Sequence, residues 1–345
     1  MKGIDPSSGA ALKKLALSAA AALIALGAAE LLVRLAGAAP QVYTIQKGRF
    51  QLSHNPKIGY EPVPLTYNGK ELSFYDYLGA SNSLGYRDVE HEIAKPPGVV
   101  RIVVLGDSVA AGLHIRRNED VFPPILEQSL NAQGLRAEVI NLAVSGYNTQ
   151  QEVETLKEKG LRYQPDLVLV AYTLSSREHV DGDILKTLLE AEREKQGLSS
   201  ARANSILVKS ALYRFVRFRV LAVRRRSGSQ PQEYLDLVSH DTVGQYFEEL
   251  RELARQNHFA VLVAVFPRLV RNFNYYRFAD QHQFVHELAQ RNGFHLIDLL
   301  EPYSRCREES IAPISIDNFH PSAYGQRCAA LAIARAVLAE RKPPG

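Results

Sequence analysis

Apolar residues fall in short continuous runs along most of this 345-residue chain, and polar or amphipathic segments separate one run from the next. Apolar runs of about four to eight residues that stop at Gly, Asn or Asp are typical of strands buried on both faces. The predicted strands are Val100–Leu105, Glu138–Leu142, Leu167–Ala171, Ala260–Val265 and His295–Asp298. The predicted helices between and after them lie near Phe122–Gln133, Thr149–Gly160, Thr242–Gln256, Asp280–Asn292 and Ser322–Glu340.

This alternation predicts an α/β fold, with a parallel sheet that helices cover on both faces. Five strands in this rhythm favour a three-layer α/β/α sandwich with a flavodoxin-like sheet, whose ligands bind at the carboxyl ends of the strands. Residues 180–240 interrupt the rhythm and predict a helical insertion. Its segment Ile206 to Arg226 is apolar and carries six arginines. That segment either lies on an anionic membrane surface or packs as a cap on the sheet.

The N-terminus has a different pattern. Two lysines precede an Ala- and Leu-rich run from Leu15 to Ala39, and about 25 residues suffice to cross about 30 Å of hydrocarbon. The positive-inside rule then places the N-terminus in the cytoplasm and the rest of the chain outside. Glu30 and Arg34 can pair at the outer end of an uncleaved helix. The small residues 36–38 also fit a signal-peptide cleavage site, so both outcomes stay open.

Composition and charge are those of an ordinary globular protein, with 46% hydrophobic and 23% charged residues and a net charge of +4. Lysines and arginines are mostly interspersed with acids, which argues against a nucleic-acid partner. The chain shows neither the spacing of zinc ligands nor a phosphate-binding glycine loop. The two cysteines, Cys306 and Cys328, either form a disulfide in an oxidising compartment or are two small buried residues that never meet.

Two short motifs carry candidate chemistry. Ser108 follows Gly and Asp at the end of the first predicted strand, and a strand that breaks sharply there can expose a nucleophile. Asp317 and His320 stand three residues apart in a D-x-x-H-P turn before the last helix. The imidazole can accept the serine proton, and the carboxylate can fix the imidazole tautomer.

The GDS and DxxHP motifs resemble those of the SGNH/GDSL hydrolases, and in particular the membrane-anchored bacterial esterases of that family. The resemblance runs from about Asn82 to Arg335. It implies that Ser108 is the nucleophile, His320 the base and Asp317 the orienting acid, with no metal or organic cofactor. The segment 82–87, NSLGYR, also resembles the family; it is either a structural turn that needs its glycine or a substrate contact.

The same resemblance implies an oxyanion hole. The backbone N–H groups of Ser108 and Gly146 supply two donors, and the family places an Asn side chain after the third strand as another. This chain has Ser175 at that position, which we interpret as a substitute donor. Weaker candidates for substrate contact are Asn148, Arg268 and Tyr275, which follow predicted strands at the rim of the sheet.

We therefore expect three segments: a signal-anchor helix at 1–39, an extended lead-in at 40–99 and a hydrolase-like domain at 100–340. The expected function is hydrolysis of O-acyl esters of carbohydrate or lipid, by a single-pass protein of the cytoplasmic membrane with its catalytic domain on the periplasmic side. An O-acyltransferase that uses the same acyl-serine is one alternative. A non-catalytic glycan-binding or assembly protein is the other.

Overall fold

The computed structural model describes residues 6–36, 49–64, 66–67, 70–71, 81–174, 210–213, 215–216 and 243–340. The chain divides into two compact units. The smaller unit consists of Met1–Ile45 and Leu189–Leu235, and the larger of Gln46–Leu188 and Asp236–Gly345.

The smaller unit contains helix α1, Pro6–Leu35. Its segment Lys13–Leu35 is long and apolar enough to cross a membrane, and its large apolar side chains are exposed, from Leu15 at 75% to Leu35 at 76%. No polar face interrupts this surface between the lysines and Glu30. By length and composition, α1 is therefore a candidate membrane span or signal sequence.

The C-terminal end of α1 is tied to a second segment of the smaller unit. The Glu30 carboxylate accepts hydrogen bonds from the N–H groups of Ala211 at 2.9 Å and Leu212 at 2.8 Å. The Ser210 hydroxyl donates to it at 2.7 Å, and Arg34 pairs with it at 2.7 Å. Residues 211–213 are helical, so Glu30 satisfies backbone donors that a helix start leaves open.

The larger unit begins with short antiparallel strands where the sequence predicted an extended lead-in with turns. Strand β1, Phe50–Leu52, pairs with β2, Tyr60–Pro62, and β3, Thr66–Tyr67, pairs with β4, Lys70–Glu71. The Tyr60 hydroxyl donates to the Ser145 carbonyl at 2.8 Å. The lead-in is thereby fastened to the segment after the second predicted sheet strand.

The predicted five-stranded parallel sheet is confirmed. Its strands are β5 (Val100–Gly106), β6 (Ala137–Asn141), β7 (Leu167–Thr173), β8 (Ala260–Phe266) and β9 (His295–Asp298). Their order is β6-β5-β7-β8-β9, which is the flavodoxin-like order. Every residue of β5 and β7 is buried, as the continuous apolar runs require when helices cover both faces.

Among the residues that the structure describes, six α-helices of the larger unit pack around the sheet. They are α2 (Phe122–Ala132), α3 (Thr149–Thr155), α4 (Val243–Asn257), α5 (Ala279–Asn292), α6 (Leu300–Glu309) and α7 (Ala323–Glu340). Helix α2 packs on α7 and covers one face, while α3 packs on α4 and α4 on α5 across the other. The sequence pattern does not predict α6, because its ten residues are mostly polar and include Pro302 in the first turn.

A disulfide joins Cys306 of α6 to Cys328 of α7, with 6.4 Å between their Cα atoms. Of the two alternatives that the sequence left open, this is the one present in the structure. The bridge closes a loop that contains the Asp317–His320 turn. Loop-closure entropy gives a bridge of this span a stabilising effect of roughly 3 kcal/mol.

The NSLGYR segment has a structural role. Gly85 has φ +86°, and a Cβ there would collide with the Val63 carbonyl oxygen. Arg87 is 4% exposed, and its guanidinium donates to the carbonyls of Gly112 at 2.6 Å and Ile115 at 2.7 Å. Both carbonyls belong to the loop that follows Ser108. Arg87 of this segment therefore buttresses that loop through hydrogen bonds to its carbonyls.

We expect Arg87→Gln to lower the free energy of unfolding by about 3 kcal/mol, because buried carbonyls lose a charged donor. Urea unfolding of the purified protein measures the change. Arg136→Gln is the matched control, since this exposed guanidinium makes only a 3.4 Å contact with the Pro97 carbonyl. Equal stability of the two variants would contradict the buttressing role.

Candidate active site

The candidate site lies at the carboxyl edge of the sheet, directly after β5. The strand order reverses at β5, and such a switch point is where open α/β sheets bind ligands. The chain breaks out of the strand at Gly106, where an added Cβ would lie 2.8 Å from the Cβ of Ala110. This glycine therefore permits the tight turn that presents Ser108.

The structure brings the predicted nucleophile, base and acid together. Ser108 Oγ lies 2.9 Å from His320 Nε2, although the two residues are 212 positions apart. His320 Nδ1 lies 2.6 Å from Asp317 Oδ2. The other carboxylate oxygen of Asp317 accepts the backbone N–H of His320 at 2.7 Å. The acid thus fixes both the ring and the backbone of the histidine.

The electrostatics of Asp317 favour its charged form. Burial by itself raises the pKa of this carboxyl, but the hydrogen bonds from the ring and backbone of His320 outweigh burial. The pKa of Asp317 is therefore below its ordinary value. An ionised acid at Nδ1 leaves Nε2 of the neutral imidazole free to accept the Ser108 proton.

Asp107 orders the turn after β5. Its Oδ1 accepts the N–H of Val109 at 2.8 Å, and its Oδ2 accepts the hydroxyl of Thr173 at 2.7 Å. Burial raises the pKa of this carboxyl, while the two hydrogen bonds and the charges of His320 and Arg268 oppose the rise. Asp107 thus joins the turn after β5 to the end of β7.

The two predicted backbone donors follow the neighbouring strands β5 and β6. The N–H groups of Ser108 and Gly146 donate to no acceptor among the residues that the structure describes. Gly146 follows β6, the strand next to β5, and has φ +82°. Ser175, the predicted substitute donor, lies outside the described residues.

The weaker candidates are placed differently from one another. Asn148 caps α3, and its side-chain oxygen accepts the N–H of Gln151 at 3.1 Å. Tyr275 is 81% exposed. Arg268 is close to the candidate triad, because its guanidinium lies over the ring of Phe319, 4.5 Å from the centroid. Phe319, which precedes His320 in the sequence, thus contacts both the predicted base and Arg268.

His114 is a residue at the site that the sequence analysis missed. It has φ +71°, a left-handed conformation that is uncommon outside glycine. Its ring packs edge-to-face on His320, with 5.4 Å between centroids. Burial and the charge of His320 lower the pKa of His114, although Asp317 opposes them. Nothing in the local sequence signals this contact, because the loop after Ser108 alone creates it.

His114, Asp317 and His320 each offer a ligand atom within 4.8 Å of the other two, so they could hold a metal ion. Two of the three are the predicted base and acid. Because their atoms already bond to one another and to Ser108, an ion there would compete with the candidate triad. A metal ion bound by these three side chains would therefore use the same atoms that form the Ser108–His320–Asp317 hydrogen bonds.

Glu152 is a second residue that the sequence analysis missed. It lies in the first turns of α3 and is 2% exposed, and neither carboxyl oxygen has a hydrogen-bond partner among the described residues. Burial raises the pKa of this carboxyl well above its ordinary value, and the nearby charge of Asp107 raises it further. Glu152 is therefore a buried carboxyl whose protonated form is favoured.

The sequence matches no protein-family model and no curated protein. Solved structures to which the chain is similar include an Axe2 catalytic mutant, an acetylxylan esterase from Geobacillus stearothermophilus. The identity is 12% and the TM-score 0.44, covering 69% of this chain and 94% of that one.

Two further structures are similar to the chain over most of their length. The lipase/acylhydrolase from Enterococcus faecalis has 16% identity and a TM-score of 0.41, covering 71% of this chain and 99% of that one. A Desulfitobacterium hafniense protein assigned to the lipolytic G-D-S-L family has 14% identity and a TM-score of 0.39, covering 69% and 99%.

The Glu152→Gln variant tests the raised pKa of the buried Glu152 carboxyl through the pH dependence of protein stability. Below the unfolded pKa of about 4.3, Glu152 is protonated in both states and costs nothing. As the pH rises above it, the unfolded state releases a proton that the folded state keeps, so stability falls by about 1.4 kcal/mol per pH unit up to the folded pKa. Glutamine cannot ionise and removes this loss.

We therefore expect urea unfolding at pH 8 to show the Glu152→Gln variant as more stable than the parent, and unfolding at pH 4 to show little difference. Glu154→Gln is the control on the same helix, because the pKa of Glu154 is lowered. A stability difference between the parent and Glu152→Gln that does not change with pH would contradict the assignment.

Proposed function

We propose that this protein is a serine esterase that hydrolyses O-acyl esters of carbohydrate or lipid. The observation that carries the proposal is the continuous hydrogen-bond chain from Ser108 through His320 to Asp317 at the switch point of the sheet. These three residue types in this order are what nucleophilic acyl transfer requires. The neighbouring N–H groups of Ser108 and Gly146 support the same chemistry.

In the proposed reaction, Ser108 Oγ attacks the acyl carbonyl while His320 Nε2 accepts its proton. The N–H groups of Ser108 and Gly146 stabilise the oxyanion of the tetrahedral intermediate. His320 passes the proton to the leaving alcohol, and an acyl-serine remains. Water, deprotonated by His320, then releases the acid and regenerates Ser108. Asp317 stabilises the imidazolium at both steps without taking its proton.

The family's third oxyanion donor is an Asn, and this chain has Ser175 at that position. We expect this difference to lower the reaction rate without abolishing activity. Loss of one oxyanion donor costs roughly 10² to 10³ in rate. Loss of a nucleophile or base costs about 10⁶ in one well-studied hydrolase. A chain with Ser108, His320 and two backbone donors is thus expected to be a slower or retuned enzyme. A non-catalytic binding module would have no need of a hydrogen-bonded nucleophile and base.

We further propose that the protein stays anchored in the cytoplasmic membrane with the larger unit on the extracytoplasmic side. Lipid would cover the exposed apolar side chains of α1, and Lys13 and Lys14 favour a cytoplasmic N-terminus. The bonds from Glu30 to residues 210–212 tie α1 to the rest of its unit, which a discarded signal peptide would not need. The disulfide suits an oxidising compartment.

A fluorophosphonate probe tests the esterase proposal. We expect the probe to label the parent protein at Ser108, because the paired hydroxyl is nucleophilic, and to leave Ser108→Ala unlabelled. Asp317→Asn should label and turn over p-nitrophenyl acetate about 10⁴-fold more slowly, because the wrong tautomer of His320 is favoured. Ser304→Ala, at a half-buried serine of α6, is the matched control. Equal labelling of the parent and Ser108→Ala would sink the proposal.

Intact-mass spectrometry of protein extracted from membranes tests the anchor. The expected mass is that of the uncleaved chain, 38.4 kDa. The protein should also resist extraction by alkaline carbonate, because burial of α1 in hydrocarbon is effectively irreversible. A mature chain that begins near Ala39, or release into the soluble fraction, would overturn the anchor and leave the esterase proposal standing.

A further inference from the structure

The connection between β8 and α5 carries a guanidinium at the edge of the candidate site. Arg268 is half-buried, and among the described residues no carboxylate forms an ion pair with it. Its only described side-chain partner is the face of Phe319, at 4.5 Å. A cation over an aromatic ring is stabilised there but keeps its hydrogen-bond donors free. Arg268 therefore has donors to offer a ligand.

Phe319 places this guanidinium next to the base. The Phe319 ring packs edge-to-face on His320, with 4.8 Å between centroids. A single ring thus separates Arg268 from the imidazole. A backbone hydrogen bond also joins the two segments, because the N–H of Leu269 donates to the Asn318 carbonyl at 2.9 Å. The arginine and the base are therefore fixed relative to each other by side chain and main chain.

A partly buried hydrogen-bond chain also holds the backbone of the arginine. The N–H of Arg268 donates to the Tyr276 hydroxyl at 3.1 Å, and that hydroxyl lies 2.7 Å from His282 Nε2. His282 Nδ1 lies 2.7 Å from Asp298 Oδ2. Each group can donate to the next, from Arg268 to the ionised carboxylate. Such a chain gives the loop one conformation, as a preorganised binding group requires.

We propose that Arg268 binds an anionic group, a carboxylate or a phosphate, on the alcohol portion of the ester. The inference rests on the proposed esterase function and narrows its substrate class. His320 Nε2 must reach the leaving oxygen, so the alcohol lies on the His320 side of the site, where Arg268 stands. A guanidinium can hold either anion through two parallel hydrogen bonds.

Matched esters measure this preference. Two of the substrates are the methyl glycosides of glucose and of glucuronic acid, each acetylated at the same hydroxyl. The third is the methyl glycoside of glucose 6-phosphate, acetylated at that hydroxyl as well. We expect the parent protein to favour an anionic ester by about 10-fold or more in kcat/KM, and the preference to shrink as NaCl rises. The carboxylate and phosphate arms show which anion the site prefers.

Arg268→Gln should lower kcat/KM for the anionic ester about 10-fold more than for the neutral one, and Arg268→Lys should keep part of the preference. Arg251→Gln, at an exposed arginine of α4, is the control and should keep all of it. A parent protein with no preference would overturn the proposal. So would an Arg268→Gln variant that slows both esters equally.

If the protein turns over none of these esters, a second measurement applies. It is the rate at which the fluorophosphonate labels Ser108 in the presence of glucuronate or glucose. Glucuronate should slow labelling of the parent and not of Arg268→Gln, and glucose should slow neither. Equal protection by the two sugars would reject the role of Arg268 while labelling upholds the nucleophile. Absence of any Ser108 labelling would instead reject the esterase proposal itself.

Discussion

The conformation of the turn at Ser108 depends on buried polar groups from several distant elements. Backbone groups removed from water must find partners, and a sharp turn at the end of a central strand cannot provide them all locally. Asp107 bonds the N–H of Val109 and the hydroxyl of Thr173 at the end of β7. Gln326 of α7 donates to the Val109 carbonyl at 3.0 Å. The position of the nucleophile is thus set by tertiary contacts.

The turn that carries the acid and the base is held in a similar way. Asn318 has φ +68°, which lets both Phe319 and His320 direct their N–H groups at Asp317. The loop from β8 bonds to this turn at Asn318, and the disulfide between α6 and α7 closes around it. Both halves of the candidate triad are therefore preorganised before any substrate binds, which is the condition for electrostatic stabilisation of a transition state.

The sequence predicted the strands of the sheet to within one or two residues, because each is a short, mostly apolar segment between polar or helical ones. It missed α6, whose polar residues show little periodicity, and the short hairpins before residue 72, whose strands have two or three residues each. At the site it predicted Ser108, Asp317 and His320, because short motifs contain them. Asn148, a weaker candidate for substrate contact from the sequence, is the N-cap of α3 in the structure.

The sequence by itself determined the alternation of strands and helices, the spacing of the two motifs and the apolar N-terminal helix, since each is a local pattern of residue types. Only the tertiary structure decided that His114 packs on the base, that Glu152 is buried without a partner among the described residues and that Arg268 stacks one ring away from His320. Those relations join residues far apart in the chain. They depend on how parallel strands and their helices pack, and no local pattern encodes that packing.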